Sequence, residues 1–551
     1  MTQNKPIGQL LEELNFITKE QIEVALGVQK ANPKFFGETL QDLDFVTSGE
    51  IAQAIAMQSN LAYLNLEFII PSIEALRLVP YSVAKTKNIL PVSVDEHTLT
   101  VATQEVNDLA TLDYLRKISK RNVKFVVEDE KVIARYAEIF YYQLSNPIDA
   151  EITKIIQDSL GDIEINTPHL VELLLNNAIK DHATDIHISP ESSASHISFR
   201  IDGVLQYTYS LPIKLHTQLT ARIKILSNLD ISEQRKPQDG AFSYEFLNEE
   251  FDLRISTLPT NNGENIVMRL LGKNSSLFSL SQLGLTERNI EKVEKYFSKS
   301  YGIVLIVGPT GSGKTTTLYS ALRKIDSLKK NVLTIEDPIE YKFSFIKQTQ
   351  LNEKAGYNFQ AAIRAFMRQD PDVMLVGEIR DHDTAELAVR ASITGHLVLS
   401  TLHTNDAVGT IPRLSDLGIE PYLIGSGLLA VIAQRLVRKL CPVCKLTKEI
   451  TKEELLEQGF SNRILDLYPD YKLFDAVGCD NCRGTGYGGR ESIMEILEID
   501  VDIEALITRE ASTQEILQVA HQKGMYSIKE DGQIKVLQGT TTIQEIKRVV
   551  N

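Results

Sequence analysis

The run Gly308-Pro-Thr-Gly-Ser-Gly-Lys-Thr315 constrains this chain more than any other feature. It follows the apolar Gly302-Ile-Val-Leu-Ile-Val307, which has the length of a buried strand, and it opens into a segment that reads as a helix beginning near Lys314. Strand, glycine-rich turn and helix in that order predict a phosphate-binding loop built from Gly308, Pro309, Thr310, Gly311, Ser312, Gly313, Lys314, Thr315 and Thr316. The glycines let backbone N–H groups curl round an anion, and the helix N-terminus adds partial positive charge. Lys314 reaches the outer phosphates and Thr315 ligates Mg2+. Average composition would produce the pattern about 0.02 times in a chain of 551 residues, so an incidental turn is set aside.

Strands alternate with helices from 301 to about 435, the pattern of a parallel sheet covered on both faces. Two of those strands end in acids, Val332-Leu-Thr-Ile-Glu336-Asp337-Pro-Ile-Glu340 and Asp372-Val-Met-Leu-Val-Gly377-Glu378-Ile-Arg380-Asp381. Either could be a solvated strand end, but two behind one phosphate loop point to handling of magnesium or water. A third strand, His396-Leu-Val-Leu-Ser-Thr-Leu-His403-Thr-Asn405-Asp406, brings His403 to the same edge. There a histidine reads as a packing residue or as a sensor of the nucleotide.

The rest of the chain has a different texture. At 551 residues it exceeds one hydrophobic core and implies about three to four domains. Residues 1–60 repeat approximately with an offset of 29, Ile7 to Gln29 being echoed by Phe36 to Gln58, and each copy predicts two short helices with Thr18 or Thr47 capping the second. Residues 61–140 read as mixed α/β. Asn146-Pro147 and an acidic stretch predict a linker over 146–165. A helix at Val171–Ala178 then precedes alternating strands around Asp185–Ile188, Ile197–Gly203, Phe251–Ile255 and Ile266–Leu270, ending near Lys273-Asn-Ser-Ser276. All four cysteines fall in two Cys-x-x-Cys pairs, Cys441/Cys444 and Cys479/Cys482, with 34 residues between the pairs. Two tight knuckles can complete a closed four-thiolate tetrahedron, which favours structural Zn2+ over disulfides or redox chemistry. The Gly-rich Arg483–Arg490 reads as a flexible turn after the second knuckle.

Together these motifs resemble the secretion and pilus-assembly ATPase superfamily, along essentially the whole chain. Arg368–Asp381 is similar to its signature around the second Walker motif, Thr334–Glu340 to its aspartate box, and Thr394-Gly395-His396 through Asp406 to its histidine box. The resemblance implies an α/β multidomain fold. A RecA-like P-loop NTPase domain with a parallel sheet occupies 281–551, with the cysteine-bearing insertion at 436–490. A smaller PAS-like α+β domain at 166–280 and an N-terminal helical and α/β domain at 1–145 precede it. It implies ATP, Mg2+ and Zn2+ as cofactors, Glu336 as a general base for water and Glu378 for magnesium or water positioning, the division between the two left open. Arg254 and Arg269 match arginines that the smaller domain supplies to the phosphates, where planar guanidinium groups suit the charge building on a γ-phosphate. It further implies a homohexamer that works on an inner-membrane platform protein and a cytoplasmic docking partner. The tetracysteine insertion points to pilus extension or secretion, whose motors share all these motifs.

Composition bears on the rivals. A net charge of −15, with no aromatic-interleaved basic stripe, speaks against a nucleic-acid-translocating ring, so no nucleic acid is expected. Intact Lys314, Thr315, Glu336 and Glu378 speak against a non-hydrolysing scaffold. No run approaches 18 apolar residues and the N-terminus carries no secretory pattern, so the expected place is the cytoplasm, peripheral to the bacterial inner membrane. In the N-terminal repeat, members of the superfamily that bind cyclic di-GMP carry Arg where this chain has Pro6 and Phe35, and Gly where it has Asn15 and Asp44. Losing two guanidinium groups argues against that dinucleotide and for docking on a partner.

Overall fold

The computed structural model describes residues 5–66, 69, 71–161, 165–272, 279–469, 471–479 and 482–550. The chain forms two compact units, one of Ala52–Ser276 with the first five residues, the other of Pro6–Ile51 and Leu277–Asn551.

The N-terminal repeat folds as read, into the helix pairs Ile7–Glu13 with Lys19–Ala31 and Phe36–Asp42 with Ser48–Ser59. Thr18 and Gln21 cap the second helix of the first pair reciprocally, and Thr47 with Glu50 does the same in the second. Between the helices of each pair the chain turns through a left-handed residue, Asn15 at φ 57° and Asp44 at φ 58°, which are equivalent under the repeat. Asn and Asp are the non-glycine residues that best tolerate that conformation.

In the first unit, the strands Ile89–Val94, Thr98–Thr103 and Asn122–Val127 form a small sheet backed by the helix Glu130–Ser145, whose Ile133, Tyr136, Ala137, Phe140 and Tyr141 are buried. The expected linker is largely a helix instead. Ile148–Ser159 is helical, with Ile148 and Ile152 in the same hydrophobic core as the strands that follow. Asn146-Pro147 marks a helix start, where proline's missing N–H costs nothing, rather than a break. Next comes a fully antiparallel six-stranded sheet, ordered Val204–Pro212, Ala194–Ile201, Asp185–Pro190, Gly263–Gly272, Glu249–Thr260, Gln238–Phe246. Helices Thr167–Lys180 and Ile213–Leu226 pack on the face carrying Ile186, Ile188, Ile197, Phe199, Leu253, Ile255, Ile266 and Met268. The opposite face is polar, as period-two alternation requires. The expected end at 273–276 lies outside the described residues.

The second unit is built on a seven-stranded sheet ordered Lys347–Gln350, Val332–Glu336, Val373–Val376, Leu397–Leu402, Gly302–Val307, Leu428–Leu440, Tyr487–Glu498. The first six run parallel and the last is antiparallel. Separate hydrophobic cores cover its two faces, so the central strands are buried along their whole length. The last two strands leave the sheet as a long antiparallel pair, and the cysteine-bearing excursion grows from their far end. That excursion holds a short hairpin, Leu446–Glu449 with Lys472–Asp475, and the helices Lys452–Glu457 and Asn462–Leu467. The Gly-rich stretch is only half a turn, because Tyr487–Arg490 already pairs with Arg438 to Leu440.

Candidate active site

The C-terminal ends of the parallel strands are where such a sheet offers a crevice. The loop 308–313 leaves the strand Gly302–Val307 there and enters the helix Lys314–Leu322. Gly308, Gly311 and Gly313 have φ of 148°, 77° and 83°. A Cβ on Gly308 would lie 2.5 Å from the Gln434 carbonyl oxygen, and one on Gly313 would lie 2.9 Å from the Gln434 side-chain nitrogen, so the loop closes only with glycine. Buried Gln434 donates to the Ser312 carbonyl at 2.8 Å and bonds Ser492 at 3.1 Å, bracing the loop from the neighbouring strand. Lys314 folds over the loop and donates to the carbonyls of Gly308 at 2.8 Å and Pro309 at 3.2 Å. Burial lowers the pKa of its amine, and the nearby charge of Glu378 works against that fall. Pro309, Thr310, Gly311, Thr315 and Thr316 are exposed. Ser312 Oγ, Gln434 Oε1 and Thr317 Oγ1 are buried without a hydrogen-bond partner among the described residues, as suits a loop built to enclose a polar ligand.

Both acids end strands at this edge. Glu336 is 4% exposed, and Thr334 Oγ1 at 2.6 Å, Gln348 Nε2 at 3.1 Å and the Tyr319 hydroxyl all donate to its carboxylate. Glu378 stands in the turn after Val373–Val376. Arg380 lies 2.5 Å from one carboxylate oxygen and His403 Nε2 3.6 Å from the other. The turn is fastened by Ile379 N–H to the Thr401 carbonyl at 3.0 Å and by the Thr401 hydroxyl to the Gly377 carbonyl at 2.8 Å. Lys314, Glu378 and His403 thus converge. The exposed Thr315 hydroxyl and the Glu378 carboxylate are hard oxygen donors of the kind magnesium takes.

Arg254 and Arg269 belong to the other unit, where they face each other directly across adjacent strands. Asp185 stands opposite both Arg269 and Arg200, so one row of the polar face reads Arg200, Asp185, Arg269, Arg254. Asp185 is buried and accepts from Arg269 Nε at 3.1 Å.

The four cysteine sulfurs lie within 4.8 Å of one another, with Cys441 to Cys479 at 3.9 Å, Cys444 to Cys482 at 3.7 Å and Cys479 to Cys482 at 3.8 Å. A tetrahedron of bonds about 2.3 Å long has corners about 3.8 Å apart, so the donor set fits Zn2+ in a closed site. Backbone N–H groups of Cys479 and Gly486 each donate to Cys482 Sγ at 3.1 Å. Burial alone would raise that thiol, but these donors outweigh it and hold it at about 7.

Tyr319, Thr334, Gln348, Gln434 and Arg380 support the site without having been singled out as site residues. Thr334 shares a strand face with Glu336 two residues on, and Gln434 is a lone amide in an apolar strand, so both carry a readable signal. Tyr319 and Gln348 reach Glu336 only through packing of the helix and the edge strand.

Residues 162–548 match the family described as Type II/IV secretion system protein, and residues 59–146 match the MshEN domain. The chain is 36% identical to the type IV pilus assembly ATPase PilB of Myxococcus xanthus (strain DK1622), with 98% of each chain covered. It is 46% identical to the type II secretion system protein E of Aeromonas hydrophila over 71% of this chain and 77% of that one. Among solved structures, the Legionella pneumophila ATPase DotB superposes with a TM-score of 0.51, covering 70% of this chain and 97% of that one at 22% identity, a likeness of fold.

Proposed function

Because the chain belongs to the type II/IV secretion system family and is an ATPase of it, we propose that it is a hexameric motor powering assembly of a type IV pilus or a type II secretion pseudopilus. It works at the cytoplasmic face of a bacterial inner membrane, on a platform protein embedded there and a cytoplasmic docking partner. The observation that carries the reading is the convergence of Lys314, Glu378 and His403 at a glycine-rich loop, with Glu336 at the end of the neighbouring strand. No helix among the described residues is long and apolar enough to cross a membrane, which agrees with a peripheral place.

Lys314 leaves its loop carbonyls for the outer phosphates of ATP, and the backbone N–H groups of 310–315 line the rest of the chain of phosphates. Thr315 and Glu378 would hold Mg2+, which would neutralise charge on the phosphate oxygens. Glu336 orients the attacking water and takes its proton, and Tyr319, Thr334 and Gln348 fix the direction in which its carboxylate points. His403, against Glu378, senses the state of the phosphates. Arg254 and Arg269 meet the charge that develops on the γ-phosphate, Asp185 holding Arg269 in line. Cys441, Cys444, Cys479 and Cys482 would hold Zn2+ as a structural clasp. The net charge of −15 and the absence of an aromatic-interleaved basic stripe favour a protein-moving motor over a nucleic-acid translocase.

The test is steady-state ATP turnover of zinc-loaded protein at concentrations that assemble rings, with and without DNA. Turnover indifferent to DNA is expected. Strong DNA stimulation would replace this reading with a translocase, and an assembled ring that binds ATP without hydrolysing it would replace it with a scaffold.

A further inference from the structure

We propose that the second helical pair of the N-terminal repeat is a working part of the ATPase site, with Asp44 and Glu50 as positioning residues for Glu336; the inference rests on the reading of Glu336 given above. The two halves of the repeat differ where it matters. Under the 29-residue offset Asp44 replaces Asn15 and Glu50 replaces Gln21, so two neutral amides become two carboxylates. Gln21 serves its helix cap. Glu50 keeps the same cap through Oε2, and its other oxygen pairs with Arg323 at 2.6 Å, with side chains only 1% and 5% exposed. Arg323 follows directly on the phosphate-loop helix Lys314–Leu322. Asp44 engages both oxygens: Tyr341 OH donates to one at 2.7 Å and the Ser344 N–H to the other at 2.8 Å. Phe45 stacks on Phe345 with ring centres 5.7 Å apart and planes 11° from parallel.

These contacts lead inward by two routes. In the first, the turn that Asp44 holds grips Gln348 at both ends of its amide, through the Tyr341 carbonyl at 2.9 Å and the Phe343 N–H at 2.7 Å, and Gln348 donates to Glu336. In the second, Glu50 holds the end of the helix that carries Tyr319, and Tyr319 donates to Glu336 and packs edge-on against Phe343 at 5.3 Å. Burying the Glu50 carboxylate against Arg323 is a poor way to gain stability, and Arg323 Nη1 stays buried without a hydrogen-bond partner among the described residues. Such charges are explained by the geometry they fix. The N-terminal helices therefore hold the carboxylate that handles water, and a partner that shifts them changes the hydrolysis rate.

Asp44→Asn keeps a residue that tolerates the left-handed turn, and Tyr341→Phe removes the same bond from the other side. In the full-length ring each is expected to lower kcat about tenfold with KM for ATP little changed, and the double variant to be no slower than either single one. Asp44→Asn also speeds hydrogen exchange at the Ser344 amide. Lys329→Ala, which breaks an exposed pair with Glu20 on the same helices, changes neither reading. Unchanged or raised kcat in both single variants, or losses that multiply in the double, would overturn the proposal. Should the wild type not hydrolyse ATP, the reading of the site fails, and Ser344 exchange alone then decides: faster exchange upholds the clamp and unchanged exchange overturns it.

Discussion

Glu336 and Glu378 end neighbouring strands, yet their surroundings differ. Glu336 is enclosed by three uncharged donors, whereas Glu378 lies among Lys314, Arg380 and His403. Removing a donor from the enclosed acid costs orientation, so Tyr319→Phe lowers kcat about tenfold while ATP affinity, measured by equilibrium titration, holds. Gln434→Ala has the opposite signature: it frees the Ser312 carbonyl and weakens ATP binding about fivefold, the worth of one buried hydrogen bond. A third prediction concerns pH. Burial alone would raise the Glu545 carboxyl, but hydrogen bonds from Arg548 and Arg438 outweigh it and hold it at about 2. A depressed carboxyl stabilises the fold above its unfolded value and loses that contribution as pH falls towards 2. Thermal melts should therefore drop between about pH 4.5 and 2, and Glu545→Gln should flatten that drop while costing about 3 kcal/mol at neutral pH. The phosphate loop and the two acids are legible in sequence because each is a short contiguous run. Tyr319 and Gln348 are not, because they meet Glu336 only once helix and strands have packed.

Among the elements, the helix Ile148–Ser159 and the pair of strands that carries the cysteines teach the same lesson. Ile148, Ile152 and Ile155 recur at helical spacing, but the preceding Asn-Pro reads as a break, and only burial in the second core reveals the helix. Likewise Gly486 and Gly488 suggest a loose turn, while thirteen-residue Leu428–Leu440 supplies a partner that continues the pairing into Tyr487–Arg490. The knuckles themselves are tight. A Cβ on Gly478 would meet the Gly484 carbonyl at 2.4 Å, and one on Gly486 would meet Ala476 at 2.6 Å. With four sulfurs at tetrahedral spacing, elemental analysis should find one zinc per chain. Chelation should speed hydrogen exchange in the hairpin Leu446–Glu449 and Lys472–Asp475 while leaving the phosphate-loop strand protected.

At the level of the whole molecule, one unit carries the row Arg200, Asp185, Arg269, Arg254 and the other the phosphate loop. If the arginines serve the γ-phosphate, Arg254→Ala and Arg269→Ala each lower kcat by about a thousandfold with ATP binding retained, as loss of a transition-state guanidinium does. The layered α/β architecture and the repeat are legible from periodicity alone. The grouping of the first helices with the ATPase sheet is not, since it depends on Asp44 and Glu50 finding partners about 300 residues away. Hydrolysis of ATP at this site is decided by comparing turnover and ATP binding of the wild-type ring with those of its Glu378→Gln and Glu336→Gln variants. Turnover should collapse in both while ATP still binds; turnover that survives in both variants would place hydrolysis elsewhere than at these two acids.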